Sequence, residues 1–412
     1  MKSMDIPMVT IIVPVYNVEE YLEECMQSLQ NQTLRDWEAV CINDCSTDGS
    51  LGILQRYAAN DDRIRIVDNP CNKGVSCARN EGIRWARGKY IYFLDSDDVI
   101  VSSALEELQK LAEKEGLDGI FFDMTHVLGT SEVFEMPWKK DSAFYENVLG
   151  GQDFFWKTIA SIENIAPVWM QFWRTEFLEK HQLFFCEELR KAEDVLFTFE
   201  AFMLANKVRC IHKAYHGYRK REDSLTSASR RTTVDSFRAS FVVYCEILHF
   251  LAVHAENFGK DSIQGIESYA NQYDVLSREL HVSIKEPGKI AFSNPMHEIM
   301  YRKFCENRLQ EKKFANVFFR LYDRERVICI CDQEWSQKLE NVYGISLEGF
   351  LMIEPKPKQL VLDEVLEKFQ KGMMQIYFST YYTKLKPVLL EMQLQEEIDF
   401  MDGRVLFDNY CE

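Results

Sequence analysis

A doubly wound α/β sheet is the fold class that residues 8–123 predict, and three observations predict it. The run "MVTIIVPVY" (8–16) is continuously apolar and β-branched, the mark of a strand buried on both faces. Further strand-like runs follow at "WEAVCIN" (37–43), "IRIVDN" (64–69) and "KYIYFLD" (89–95), with helical patterns between them, so short connections and parallel pairing are expected. Polar clusters stand after these strands, where ligands sit in such sheets.

Each element has its own signal. In "NVEEYLEECMQSLQNQ", Tyr21, Leu22, Cys25, Met26 and Leu29 recur at helical spacing behind an acidic first turn. The loop "DCSTDGS" leads to the helix "LGILQRYAAN", and the glycine-containing loop "PCNKG" leads to a helix near 75–87. After "LDGIFFD" (117–123) the alternation stops. Residues 130–190 are rich in aromatics, among them Phe134, Trp138, Phe144, Tyr145, Phe154, Phe155, Trp156, Trp169, Phe172 and Trp173, and a helix over "AEDVLFTFEAFMLAN" follows. "KVRCIHKAYHGYRKREDSLTS" reads as two short strands and a basic loop. A helical pattern occupies 228–320, and "VICICD", "GFLMIEP" and "MQIYFST" mark strands of a small α/β unit. The expected organisation is an α/β domain over 1–227, a helical region over 228–320 and a C-terminal module over 321–412. The first strand of that module runs into its helix without a glycine loop for phosphate, so a packing, oligomerisation or docking role is expected for it.

Composition sets outer limits. The chain has 412 residues, 46% hydrophobic and 13% aromatic, enough for real cores. Its net charge of -17 argues against a nucleic-acid or anionic-membrane partner, since phosphate backbones need a basic face. Small phosphorylated ligands remain open, because a metal inverts the sign locally. The twelve cysteines form no CxxC pair and several lie in apolar runs, which reads as reduced core thiols. The apolar stretch "FVVYCEILHFLAVHA" (241–255) carries Glu246 and His249 and is short for a bilayer, and "MKSMDIPMVT" has no signal-peptide core. A cytoplasmic location is therefore expected.

The chemistry concentrates at strand ends. In "YFLDSDDV" (92–99), alternation of an extended chain puts Asp95 and Asp97 on one side with Ser96 as spacer, while Asp98 reads as a helix cap. Hard carboxylate oxygens suit Mg or Mn bridging the phosphates of a nucleotide-linked donor. After the second strand, Asp44 is placed to hydrogen-bond a base or ribose edge, whereas Ser46, Thr47 and Asp48 read as turn and cap residues. Pro14 and Tyr16, ending the first strand, are placed to flank the base, Tyr16 by stacking. In "NKGVSCARNEGIRWARG", Arg79 and Asn80 read either as an internal pair or, for Arg79, as a guanidinium near a diphosphate. A lone His216 reads as structural more readily than as a metal ligand.

Taken together, "TIIVPVYNVEEYLEECMQSLQNQT", "INDCSTDGS", "NKGVSCARNEGIRWARGKYIYFLDSDD" and "AEDVLF" resemble family 2 glycosyltransferases of the A-type fold, over about residues 8–226. The order and spacing of the segments follow the family. The resemblance implies a Rossmann-like, mostly parallel sheet flanked by helices and inverting transfer of one sugar from a nucleotide donor, most commonly a UDP-sugar, in bacterial surface-polysaccharide synthesis. It implies that Pro14, Tyr16 and Asp44 hold the nucleoside, that Asp95 with Ser96 lies near the ribose, and that Asp97 of the Asp-Ser-Asp (DXD) motif takes Mn or Mg. It places the base on the pair Glu193-Asp194, by family pattern Asp194, and sets Arg219, Arg221, Ser224 and Thr226 in a loop that closes over the diphosphate. An acid there suits the chemistry, because inversion needs one carboxylate to take the acceptor proton while the diphosphate leaves opposite. One departure is Asn43-Asp44-Cys45-Ser46, where the family often shows Asp-Asp-Gly-Ser.

A sugar-phosphate nucleotidyltransferase would open on a glycine- and arginine-rich loop after the first strand, and this chain has "PVYNVEEY". A processive synthase would add membrane helices and a Gln-x-x-Arg-Trp stretch, also lacking. The rival from another class is a non-catalytic nucleotide-sugar-binding scaffold of a polysaccharide assembly complex, against which the full acidic set of Asp44, Asp95, Asp97 and Asp194 counts. The partners expected are a nucleotide-sugar donor and a glycan or lipid-linked glycan acceptor, with room for peripheral membrane association and for homo-oligomerisation through the C-terminal region. The aromatic residues of 138–173 are expected on the acceptor side, since flat rings suit sugar faces.

Overall fold

The computed structural model describes residues 6–128, 132–135, 147–161, 166–219, 233–284, 290–306, 311–323, 327–331, 333–343, 345–346, 351–353, 374–378, 382–391, 394 and 400–407. The chain divides into two compact units, Met1–Ala239 and Ser240–Glu412.

In the first unit, strands β1 (Val9–Val15), β2 (Trp37–Asn43), β3 (Ile64–Asp68) and β4 (Tyr90–Phe93) alternate with helices α1 (Leu22–Gln30), α2 (Ser50–Ala58) and α3 (Val75–Trp85). The strands pair in parallel in the order β3-β2-β1-β4. Ile11, Ile12 and Val13 of β1 are fully buried, as a strand covered on both faces requires. Each such side chain contributes about 1.5–3 kcal/mol on burial. Because β4 pairs with β1 only from Val9 to Ile12, Pro14 projects past it and its missing N–H leaves no ladder bond unmade.

Beyond β4 the sheet becomes mixed. The remaining elements are β5 (Val99–Ile100), α4 (Ala104–Glu115), β6 (Gly119–Leu128), β7 (Glu132–Glu135), β8 (Gln171–Arg174) and β9 (Val208–Arg219), and the full order is β3-β2-β1-β4-β8-β6-β9-β5, with β7 on β6. β8 is antiparallel to both β4 and β6, whereas β6 and β9 run parallel with register shifts around Asp123. Two expectations are corrected here. The region read as two short strands is the single strand β9, and Asp98 is no helix cap, because β5 intervenes and α4 begins only at Ala104.

α3 lies tight on the sheet. A methyl group at Gly82 would stand 2.3 Å from Cγ2 of Ile12, so Gly82→Ala is expected to destabilise the unit by about 1–3 kcal/mol, read as a lowered melting temperature.

The second unit contains helices Lys260–Val282, Pro295–Glu306 and Glu311–Asp323 and a parallel four-stranded sheet. The sheet runs β11-β10-β12-β13, from β10 (Val327–Ile330), β11 (Leu351–Ile353), β12 (Met374–Tyr377) and β13 (Phe400–Asp402). The apolar stretch around 241–255 belongs to a longer helix, Thr233–His254. By length and composition alone the segment Thr233–Asn257 meets the requirement for crossing a bilayer, yet its most apolar window is 61% buried within the protein.

Candidate active site

The carboxyl ends of β1, β2 and β4 meet where the strand order reverses, the position at which open α/β sheets bind ligands. Two loops make one floor there. Backbone N–H groups of Asn17, Val18 and Glu19 donate to Ser46 Oγ (3.2 Å), Ser50 Oγ (3.0 Å) and Asp48 Oδ2 (3.0 Å), and Thr47 N–H donates back to Asn17 Oδ1 (2.8 Å). Ser46, Thr47 and Asp48 are thus structural. Beside them Tyr16 is 49% exposed, an aromatic ring left open at a sheet end.

Asp44 is buried, and its carboxylate accepts from the backbone N–H groups of Lys73 (2.9 Å to Oδ1) and Gly74 (2.8 Å to Oδ2). Gly74 has φ +93°, a conformation that favours glycine, and it opens α3. The sequence reading offered Asp44 to a nucleoside alone. The structure adds a first duty, holding the loop that starts α3, and makes any base contact a shared one.

At the end of β4, Asp98 N–H donates to Asp95 O (3.0 Å) to close the turn Asp95–Asp98. Ser96 is buried in it, while Asp95 and Asp97 are partly exposed. Arg79 reaches the turn from α3. Its guanidinium is buried and two-armed, with NH2 2.9 Å from Asp95 Oδ1 and NH1 2.8 Å from Glu193 Oε1. Of the two readings offered for Arg79, the internal one is what the structure displays: two carboxylates share its charge, and it ties the strand end to the helix Glu193–Leu204.

The same face of α3 grips the chain leading into that helix. Ser76 Oγ donates to Leu189 O (2.6 Å). Asn80 bonds both backbone groups of Phe185, its Nδ2 donating to O (2.8 Å) and its Oδ1 accepting from N–H (2.7 Å). Ala192, just before the helix, adopts a left-handed φ of +61°, strain of the kind that collects at functional sites. Asp194 follows it, its Oδ1 accepting from Val195 N–H (2.9 Å). Burial and the Glu193 carboxylate push the Asp194 pKa up to about 7, against the pull of Arg79. A carboxylate so poised is suited to accept a proton near neutral pH.

Arg219 ends β9 and is engaged, not open. Its Nε donates to Asp97 O (2.9 Å), its guanidinium pairs with Glu24, and it lies over the Tyr21 ring at 5.3 Å. It braces the turn. Arg221, Ser224 and Thr226 lie outside the described residues. His216 is fully buried with both ring nitrogens bonded, so it has no atom left for a metal. The aromatic expectation is also corrected: Phe154, Phe155, Phe172 and Trp173 are core residues, and Trp169 is buried against the rings of His216 and Tyr218. Trp138, Phe144 and Tyr145 lie outside the described residues.

Among the described residues no three His, Cys, Asp or Glu side chains converge as a protein cage for a metal. Mg and Mn do not need one, because one or two carboxylates with substrate phosphates and water complete their shells. The partly exposed Asp97 carboxylate at a sheet's ligand end fits that requirement.

The class of protein, a glycosyltransferase, comes from comparison with known proteins. Residues 10–171 match the profile of glycosyl transferase family 2. The chain is 36% identical over 238 residues to the uncharacterized glycosyltransferase EpsJ of Bacillus subtilis, covering 56% of this chain and 66% of that one. It is 29% identical over 280 residues to the poly(ribitol-phosphate) beta-N-acetylglucosaminyltransferase TarS of Staphylococcus aureus, covering 67% of this chain and 46% of that one. The structure of TarS 1–349 in complex with UDP-GlcNAc superposes with a TM-score of 0.50 at 23% identity, over 76% of this chain and 80% of that one, a likeness of fold. The N-terminal unit thus carries a glycosyl transferase family 2 domain, with the A-type fold. The chain spans about half to two thirds of the length of these two relatives.

Proposed function

We propose that this chain is an inverting, metal-dependent glycosyltransferase that moves a single sugar from a UDP-sugar to a hydroxyl of a glycan or lipid-linked glycan in surface-polysaccharide synthesis, on the cytoplasmic side of the membrane. The observation that carries the reading is Asp194, a carboxyl raised to about 7 and tied through Glu193 and Arg79 to the Asp95–Asp98 turn. The names of the relatives support it, since TarS is a transferase of N-acetylglucosamine and is known in complex with UDP-GlcNAc.

In this reading Tyr16 stacks on the base, with Pro14 and Asp44 at its edges, and Asp95 with Ser96 faces the ribose. Asp97 is the residue to hold Mg or Mn, which when bound neutralises the leaving diphosphate. Asp194 accepts the proton of the acceptor hydroxyl as its oxygen attacks the anomeric carbon and the diphosphate departs from the opposite face. Glu193 keeps Arg79 in place, so the base is fixed relative to the donor turn.

The test is titration calorimetry with UDP in Mn and in EDTA, followed by donor hydrolysis across a panel of nucleotide sugars. Asp97→Ala is expected to remove most of the affinity gained from Mn, about 10–100-fold, while leaving binding in EDTA unchanged. Absence of both metal-dependent nucleotide binding and turnover in the wild type would overturn the reading, and binding without turnover on any donor would favour a scaffold.

A further inference from the structure

We propose that His216 is a positioning residue for Asp97, acting through a buried chain Tyr92–His216–Asp98; the idea rests on the donor-site reading above. The imidazole is fully buried. Its Nδ1 lies 2.6 Å from the Tyr92 hydroxyl on β4 and its Nε2 lies 2.9 Å from Asp98 Oδ2. The indole of Trp169 lies flat on the ring at 4.4 Å and 18°, which fixes the plane in which those two bonds point. Burial, with Asp98 and Asp95 nearby, holds the Tyr92 hydroxyl protonated. Both ring nitrogens are thereby engaged, one on the Tyr92 hydroxyl and one on the Asp98 carboxyl, and the ring is held between them whichever tautomer it takes.

The other oxygen of Asp98 accepts from Arg219 N–H (2.7 Å), and the same arginine's Nε donates to Asp97 O (2.9 Å). Asp97 is thus gripped from both sides: its own carbonyl is held by Arg219, and the side chain that follows it is held by His216. Asp98 N–H closes the turn onto Asp95 O. A carboxylate that must meet a metal and a diphosphate with little tolerance in distance needs a backbone that does not move, and groups that orient ligand residues are worth about 10–100-fold in metal affinity. Nothing local in the sequence announces the arrangement, because Asp98 and His216 are 118 residues apart.

The experiment compares wild type, H216N and H216Q by backbone hydrogen exchange and by UDP calorimetry in Mn and in EDTA. Asparagine places its amide near Nδ1 and loses Asp98, whereas glutamine reaches the Nε2 position and keeps it. H216N is expected to exchange at least about 10-fold faster in the segment 94–99, to lose at least about 10-fold of the Mn-dependent gain in UDP affinity, and to keep its affinity in EDTA within about twofold. H216Q is expected to stay near wild type in both. Unchanged exchange at 94–99 in H216N overturns the proposal, as does equal loss of UDP affinity with and without Mn. If H216N does not fold, Y92F, which removes the hydroxyl bonded to Nδ1 and keeps the ring, takes its place in both measurements under the same criteria. If wild type binds no UDP, the donor-site reading fails while the exchange result still decides whether His216 holds the turn.

Discussion

Asp194→Asn is expected to lower kcat by about 10³-fold or more while leaving UDP affinity in Mn unchanged, because it removes the base and keeps the side chain's shape. Wild-type turnover should rise tenfold per pH unit up to about 7 and then level off, since only the deprotonated carboxylate accepts the acceptor proton. The same shift has a sign for stability. A carboxyl with a folded pKa near 7, against an ordinary value of 3.8, binds its proton more tightly when folded. The stability it contributes is therefore present below about pH 4 and lost as pH rises through 7. Asn at 194 should raise the melting temperature at pH 8 by about 2–4 °C, roughly 1 kcal/mol once solvent screening of a partly exposed group is allowed for, and the gain should vanish toward pH 4. A turnover profile without an acid limb near 7, or an active Asn variant, would remove Asp194 from the base role.

Arg79→Met is expected to cost stability as well as activity. It leaves Glu193 and Asp95 without their shared cation, and Glu193 has 12% of its side chain exposed, so the uncompensated charge is largely buried. A loss of about 3 kcal/mol follows, a melting temperature lower by roughly 6–12 °C. With the opposing cation gone, the acid limb of the turnover profile should move above 7, a change that plain destabilisation does not produce. Arg79→Lys keeps the charge but reaches only one partner, and it should fall between wild type and Met on both measures.

The parallel half of the sheet was legible because its strands are doubly buried and announce themselves as continuous apolar runs, "TIIVPV" foremost. The antiparallel insertion β8 was not, since "QFWR" is four residues long and its partners lie 50 and 80 residues away. At the candidate site, the placement of Asp44 and Asp95 just past strand ends was legible because the strands themselves were. What the side chains do to one another was not. Arg79 read as an internal pair or as a guanidinium near a diphosphate, and its partner Glu193, 114 residues on, could not be picked out from spacing. Asp98 looked like a cap because acids before a helix usually are, and only β5 shows that the helix starts later. The aromatics of the middle region misled for a simpler reason: rings serve cores and sugar faces equally, and pattern alone does not separate the two.

The grip of α3 on residues 185–193 also has a consequence in time. Ser76, Arg79 and Asn80 bind partners 105 to 114 residues later in the chain. During synthesis at about 5–20 residues per second, those three side chains wait roughly 5–20 s for them. The parallel strands can pair before the segment 185–193 has left the ribosome, leaving the polar face of α3 solvated and open in a nascent half. Docking of that segment on α3 is then a late event of assembly, and long-range closure of this kind is what makes such folds slow.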